Sequence, residues 1–116
     1  MKEGDVVLTP LPQADGQIKN RPAMALRELP PCGDMLVCGI STQLRQLTAG
    51  FDELIVGSDA DFAASGLLAD SIIRLGFLAV PRKSILGSIG ALAPERHARL
   101  LRRLSAYLIE QIEESL

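Results

Sequence analysis

The sequence predicts a mainly β fold, a small and strongly curved sheet or barrel closed by a C-terminal α-helix. Short runs of β-branched and aliphatic residues alternate with turns rich in proline and glycine, which indicates about five to seven strands. No helix breaker follows Pro94, which indicates one long terminal helix. A chain of 116 residues can bury one modest core, so we expect a single domain over residues 1–116.

The composition excludes several classes of function. A net charge of −2 argues against a broad basic surface for duplex DNA and leaves room for a local cationic cleft. Aromatic residues make up only 3% of the chain, which argues against a sheet that stacks bases on aromatic rings. The N-terminus lacks a signal peptide pattern, and no apolar run is long enough to span a bilayer, so we expect a cytoplasmic protein without membrane contact.

The first half of the chain reads as three strands. Residues 5–9 form the first, and residues 10–20 follow as a long loop without periodicity, of the kind that often carries function. The second strand covers residues 23–29, with Pro22 at its first position, where a sheet tolerates proline. Residues 35–40 are apolar on both faces, so we expect this third strand at the centre of the sheet.

The middle of the chain is less regular. Residues 44–50 fit either a turn or a short helix, and residues 52–56 form a weak strand. Residues 59–66 read as a loop with one helical turn that Gly66 would end. Three further β segments are expected: a strand at 71–75, an edge strand at 77–80 before Pro81, and a turn with a short strand at 84–92.

The terminal helix carries an apolar stripe and an unusual order of charges. Arginines in its first half and glutamates in its last half oppose the helix macrodipole, so we expect packing to hold it. The basic half reads either as a solvated side or as a nucleic-acid face. The stripe consists of Leu100, Leu101, Leu104, Leu108 and Ile112, and the charged residues are Arg96, Arg99, Arg102, Arg103, Glu110, Glu113 and Glu114.

The cysteines and the single histidine do not form a metal or catalytic set. Cys32 and Cys38 lack the spacing of a zinc site, and His97 is the one histidine. We expect buried or partly buried free thiols, with a disulfide as the alternative, and a packing or surface role for His97. No carboxylate cluster and no Ser-His-Asp or Cys-His set is evident, so we expect neither a metal nor a cofactor.

Three polar clusters interrupt the aliphatic strands at their ends. Guanidinium groups neutralise charge on phosphate oxygens and hydroxyls donate hydrogen bonds to them, so such clusters suit a phosphate site. Arg21 alone also reads as a solvated strand-edge charge. The clusters are Arg21, the run Ser41-Thr42-Gln43, and Arg74 behind Asp70-Ser71.

The ordered set of motifs resembles the PemK/MazF toxins of bacterial toxin–antitoxin systems. The resemblance covers nearly the whole chain, and the order of the motifs is more specific than any one of them. The matching segments are Gly4-Asp5-Val6-Val7-Leu8, Gly16-Gln17, Arg21-Pro22, Ile40-Ser41-Thr42-Gln43, Ser71-Ile72-Ile73-Arg74 and Ile89-Gly90-Ala91-Leu92.

The resemblance implies an SH3-like barrel of the PemK/MazF/CcdB type, usually a homodimer, that cleaves single-stranded RNA without metal and is neutralised by an antitoxin protein. The RNA 2′-hydroxyl would attack the neighbouring phosphate and leave a cyclic phosphate. Arg21 would be the main cation and a proton-transfer partner, and Ser41 and Thr42 would orient the phosphate. The implied substrate-binding residues are Gln17, Lys19, Asn20, Gln43 and Arg74.

Two departures from the family pattern leave alternatives open. Upstream of Arg21 only Gln17 stands where many members carry an acidic or amide residue, and Gly76 stands where some members carry a catalytic acid. The loss of a general acid or base lowers the cleavage rate by a factor of about 10²–10⁴, unless Asp15 or Asp70 takes over the proton transfer. The alternatives are a barrel that binds nucleic acid or a protein without cleaving, and a gyrase poison resembling CcdB, for which the Arg-Pro and Ser-Thr pairs have no use.

Overall fold

The described part of the chain folds as a curled antiparallel sheet of six strands with a C-terminal helix, which confirms the predicted fold class. A computed structural model describes residues 1–115, with side chains described through residue 110. The strands lie in the order β4-β5-β3-β2-β1-β6. Their bounds are β1 Asp5–Pro12, β2 Ile18–Leu29, β3 Asp34–Ser41, β4 Glu53–Ile55, β5 Ser71–Val80 and β6 Gly87–Ala91, with helices α1 Phe62–Ser65 and α2 Pro94–Ser115 and 3-10 turns at Leu44–Gln46 and Arg82–Ser84.

Both faces of the sheet are apolar, so the protein has two clusters of buried side chains. β3 lies between β2 and β5, as its two-sided hydrophobicity predicts. One cluster packs between the sheet and α2 and includes Met24, Leu75 and Leu100. The other lies on the opposite face and includes Val37 and Val80. A nearly all-aliphatic core follows from the 3% content of aromatic residues.

The predicted loop at residues 10–20 is wrong, because β1 and β2 extend through it as a hairpin. The pairing of Thr9 with Arg21 continues as far as Pro12 and Ile18. The carbonyl of Leu8 accepts a hydrogen bond from the N–H of Leu86 at 2.8 Å, on the side of β1 that faces away from β2. Backbone polar groups alternate between the two sides of a strand, so those of Pro10 and Pro12 also face away from β2. The nitrogens of Pro10 and Pro12 therefore point to an edge that needs no donor.

Pro22 lies inside β2 and not at its first residue, so that prediction is also wrong. Pro22 pairs with Leu8, and the pairing of β2 with β3 begins one residue later, at Ala23 with Gly39. The proline nitrogen thus faces a side where β3 is not yet paired. Beyond this point β2 pairs with β1 alone, and the hairpin extends from the sheet.

β5 is one strand with a bulge, and residues 77–80 pair with central β3 instead of forming an edge strand. Cys38 pairs with Phe77, whereas Ile40 pairs with Ile73, so residues 74–76 stand opposite Gly39. The bulge breaks the period-2 alternation, which explains why the sequence reads as two strands.

Two glycines bring α1 against β6 at the closure of the barrel. Gly66 ends α1 in the left-handed conformation, with φ +75°, as predicted. A Cβ at Gly66 would overlap the carbonyl of Ile89, and a Cβ at Gly90 would overlap the carbonyls of Ala64 and Ser65. Backbone therefore packs on backbone at this contact.

Arg96, in the basic half of α2, lies neither on a solvated side of the helix nor on a nucleic-acid face. Arg96 is only 8% exposed and donates to both oxygens of Asp61 at 2.8 and 3.0 Å. It also donates to Asp59 and Glu53, and the latter accepts from Arg99 at 2.7 Å. The expectation that packing alone holds the helix is therefore wrong, because ion pairs tie α2 to β4 and to the segment before α1.

The apolar stripe of α2 is confirmed in its first half. Leu100 and Leu104 are buried, Leu101 packs against the same cluster, and Leu108 is half-exposed. The last predicted stripe residue, Ile112, and the acidic residues Glu113 and Glu114 lie outside the residues whose side chains are described.

The cysteines are free thiols, as expected, but only Cys38 is buried, and Cys32 is exposed. Burial, together with the nearby charge of Asp52, raises the pKa of Cys38 to about 12, so this thiol stays protonated. His97 has a packing role, because its Nε2 lies 2.7 Å from the carbonyl of Leu26 and donates to it.

Candidate phosphate-binding groove

The extended hairpin, the end of β3, the β5 bulge and the segment after α1 enclose an open groove of about 960 Å³. Five of the eight residues predicted for the site line this groove: Arg21, Ser41, Thr42, Gln43 and Arg74. The other three, Gln17, Lys19 and Asn20, are exposed on the hairpin outside the lining. The fold thus gathers residues that are far apart in the sequence, and their roles stay predictions.

Arg21 reaches the groove from the part of β2 that pairs only with β1. The ring of Pro22 disfavours helical geometry at Arg21 and keeps it extended. The exposed guanidinium donates through Nε to Oε1 of Gln13 at 3.4 Å. Gln13 is itself fixed, since its amide donates to the carbonyl of Leu11 at 2.9 Å.

Arg74 reaches the same groove from the β5 bulge. The side chain of Leu75 is fully buried, so Arg74 and Gly76 on either side of it are exposed. Nη1 of Arg74 donates to Oε1 of Gln46 at 3.2 Å. The N–H of Leu75 donates to Oδ1 of Asp52 at 3.0 Å, which fixes the backbone of the bulge.

Among the described residues, the hydrogen-bond partners of the two groove arginines are neutral amide oxygens and not carboxylates. A carboxylate partner would neutralise a guanidinium, whereas an amide carbonyl orients it and leaves the charge for an anion. Five of the seven other arginines pair with carboxylates, namely Arg27, Arg82, Arg96, Arg99 and Arg103, and the remaining two, Arg45 and Arg102, lie exposed outside the groove lining. The contrast makes the groove a cationic site on a protein with a net charge of −2.

The hydroxyl groups lie where β3 ends. Oγ of Ser41 accepts the N–H of Gln43 at 3.0 Å, which closes a tight turn after the strand. The hydrogen of the Ser41 hydroxyl remains able to donate to a ligand. Thr42, at the tip of the turn, is exposed and adds a second donor.

Neither acid suggested as a replacement lies in the groove. Asp15 accepts the N–H of Gln17 at 2.9 Å in the hairpin turn, and Asp70 accepts the N–H of Gly57 at 2.9 Å. Of the described residues that line the groove, only Asp52 has a carboxylate, and both of its oxygens accept backbone N–H groups. A Cβ at Gly76 would meet no atom within 4 Å, so the groove has room for a side chain there.

Three groove residues carry no sequence signal of a site: Gln13, Gln46 and Asp52. Gln13 and Gln46 lie in turns that the sequence leaves irregular, and Asp52 begins a weak strand. Each gains its role from a contact that the fold creates, such as the 28-residue separation between Gln46 and Arg74. Periodicity cannot reveal such partners.

The described residues contain no group of three or more His, Cys, Asp or Glu side chains placed to hold a metal ion. Among the described helices, none combines the length and the apolar character needed to cross a membrane.

Residues 2–108 match the family described as PemK-like, MazF-like toxin of type II toxin–antitoxin system. The chain belongs to this toxin family. The resemblance stated from the motifs is confirmed, and the family places the toxin in a pair with an antitoxin. No curated protein sequence matches the toxin.

A solved structure supports the fold of the toxin. Mycobacterium tuberculosis toxin MazF-mt6 is similar with a TM-score of 0.65 over 91% of this chain and 96% of that chain. The two sequences are 19% identical, so the likeness shows the fold alone. It confirms the predicted barrel of the PemK/MazF type.

Proposed function

We propose that this toxin is a metal-independent endoribonuclease that cleaves single-stranded RNA in the cytoplasm. The carrying observation is that Arg21 and Arg74 present charge that no carboxylate neutralises, in one groove with the hydroxyls of Ser41 and Thr42. A dianionic phosphorane is the species that such a set stabilises. The family relationship supports the same conclusion.

The reaction begins when the 2′-hydroxyl of the RNA attacks the adjacent phosphorus. A P–O bond forms to the 2′-oxygen and the bond to the 5′-oxygen breaks, which leaves a 2′,3′-cyclic phosphate and a free 5′-hydroxyl. Arg21 stabilises the charge on the equatorial oxygens, with Arg74 beside it. Ser41 and Thr42 donate hydrogen bonds that orient the phosphate.

The groove offers few groups that can act as a general acid or base in the cleavage. Both oxygens of Asp52 are already engaged with backbone N–H groups, so we assign the transfers to Arg21 and solvent. General acid–base catalysis contributes about 10²–10⁴ in typical enzymes. We therefore expect slow cleavage from a site that binds phosphate well.

The groove suits an unpaired strand. Phe77 and Leu68 line it and are 47% and 100% exposed, so they offer apolar surface to splayed bases. Stacking on neighbouring base pairs in a duplex would hide those base faces. On the hairpin, Gln17, Lys19 and Asn20 would meet the flanking nucleotides, and Gln43 would meet a base edge.

The same surface suits inhibition by the antitoxin. An antitoxin segment laid over the groove would contact its cationic centre and its exposed apolar rim, and would exclude RNA. We also propose that the toxin acts as a homodimer, on the family relationship alone.

A second candidate function is RNA binding without cleavage. Gly76 favours it, since the groove position where some family members carry an acid has no side chain. In this case the toxin would hold RNA and release it intact.

Incubation of the purified toxin with mixed-sequence single-stranded RNA in EDTA, followed by mapping of the ends, tests the proposal. We expect discrete cuts with cyclic phosphate ends, reduced at least about 100-fold in Arg21→Ala because the main cation is lost. Arg27→Ala is the matched control, because this exposed arginine lies on the same strand and pairs with Glu3 outside the groove. Saturable binding of intact RNA by the wild type would favour the second function, and full cleavage by Arg21→Ala would reject the site.

A further inference from the structure

We propose that Asp52 is the positioning residue for Arg74 in the proposed cleavage. Its single carboxylate holds the backbone that carries Arg74 and the loop that leads from the side-chain partner of Arg74. The inference rests on the proposed function for its kinetic test, and on the geometry for the rest.

The first contact is with the β5 bulge. Residues 74–76 stand opposite Gly39, so the N–H of Leu75 has no regular place in the ladder between β3 and β5. Oδ1 of Asp52 accepts this N–H at 3.0 Å in a buried setting. An unpaired buried N–H is costly, so this bond selects the bulged conformation that turns Arg74 outward.

The second contact is with the loop that precedes Asp52. Oδ2 accepts the N–H of Thr48 at 2.9 Å, and the N–H of Asp52 donates back to the carbonyl of Thr48 at 2.9 Å. Thr48 follows the 3-10 turn Leu44–Gln46 by two residues, and Gln46 accepts the hydrogen bond of Arg74 at 3.2 Å. The Asp52 side chain thus positions both the backbone from which Arg74 extends and the loop that follows Gln46, its hydrogen-bond partner.

The residue type fits this role. Asp52 is 8% exposed, and its carboxylate oxygens bond to two backbone donors instead of an arginine. A carboxylate accepts at both oxygens, whereas an asparagine amide accepts at one and would direct its own N–H₂ at the second donor.

The test compares the cleavage kinetics of Asp52→Asn, Arg74→Ala and the double variant. We expect Asp52→Asn to lower kcat about 10–100-fold with a smaller change in KM. The substitution misplaces the Arg74 guanidinium relative to the reacting phosphate but leaves its positive charge in the groove. In the Arg74→Ala background the same substitution should cost less than about threefold. Additive losses would overturn the proposal.

Asp61→Asn is the matched control, since Asp61 is also buried and also accepts a backbone N–H, from Ala93 at 3.0 Å. It should lower the free energy of unfolding and leave kcat unchanged well below the melting temperature. An equal loss of kcat in Asp61→Asn would show that the effect of Asp52→Asn is general destabilisation.

A measurement without RNA separates this inference from the proposed function. The Nε–Hε resonance of Arg74, followed by NMR relaxation, should report an ordered side chain in the wild type and a mobile one in Asp52→Asn, with Arg21 unchanged. Unaltered order at Arg74 would overturn the inference, whereas intact RNA with the wild type would overturn the proposed function alone.

If Asp52→Asn fails to fold, Thr48→Pro removes one of the two donors and leaves the carboxylate in place. Leu47 has φ −59° and ψ 126°, a conformation that the residue before a proline favours. Arg74 should lose order in this variant as well, and retained order would contradict the proposal.

Discussion

Two arginines of this toxin have neutral partners, whereas five others in the described chain pair with carboxylates. Arg21 and Arg74 donate to glutamine side chains, so each guanidinium is oriented without a paired carboxylate. The sequence could predict the arginines and the hydroxyls as polar clusters between aliphatic runs, although Arg21 and Arg74 lie inside β2 and β5 and not at strand ends. It could not predict Gln13, Gln46 or Asp52, because turns that close only in the folded protein set their contacts.

Gly76→Asp should accelerate RNA cleavage at least about tenfold. The added carboxylate would lie beside Arg74 in open space and would supply the missing proton transfer. Single-turnover rates across a pH series would show the gain as a new ionisation in the profile. Gly76→Asn controls for the added volume, and equal rates for the two variants would mean that proton transfer does not limit the reaction.

The elements are held by different forces from those that the sequence suggests. The order of charges along α2 disfavours the helix locally, and the fold compensates by pairing Arg96 with Asp61, Asp59 and Glu53. Likewise, prolines that normally end strands are accommodated in the hairpin, because their nitrogens face unpaired edges. Rules for isolated elements failed where the register with a neighbouring strand decides the outcome.

Arg96→Met should lower the free energy of unfolding by about 3–5 kcal/mol. The substitution leaves three neighbouring carboxylates without their shared cation, in a largely buried position. Urea denaturation measures the loss, and Arg102→Met, at an exposed position of the same helix, should stay within about 0.5 kcal/mol of the wild type. Equal stability of the two variants would show that the network adds nothing.

For the whole molecule, composition and motif order suffice to predict the fold class, and the ordered motifs also predict the family. They do not predict how the barrel closes. In the sequence, Gly66 and Gly90 look like ordinary turn or strand-end glycines, yet they permit the close contact between α1 and β6. Backbone contacts between segments that are distant in the sequence produce no pattern in the hydrophobic periodicity.

The toxin should lose stability in acid through the same ion pairs. The hydrogen bond from Arg96 lowers the pKa of Asp61. Burial alone would raise the pKa of Glu53, but the hydrogen bond from Arg99 and the nearby arginine charges outweigh it and lower the pKa. Since both folded pKa values lie below their ordinary values of 3.8 and 4.5, this stabilisation is present above those values and is lost as the pH falls through the lowered ones.

Urea midpoints measured from pH 7 down to pH 3 would show this loss as a decline that begins near pH 4.5. Arg96→Met should have a flatter profile, because its carboxyl groups lack the cation that lowers their pKa values. An identical slope in the variant would assign the acid sensitivity to other groups.

The prolines of the hairpin also disfavour edge-to-edge pairing between copies of this toxin. A two-stranded arm that leaves its sheet presents bare edges, and bare edges recruit strands from other molecules into growing aggregates. Pro10 and Pro12 remove two donors from one such edge, and Pro22 removes one from the other strand. The missing donors therefore disfavour the addition of foreign strands along the arm, even at high protein concentration.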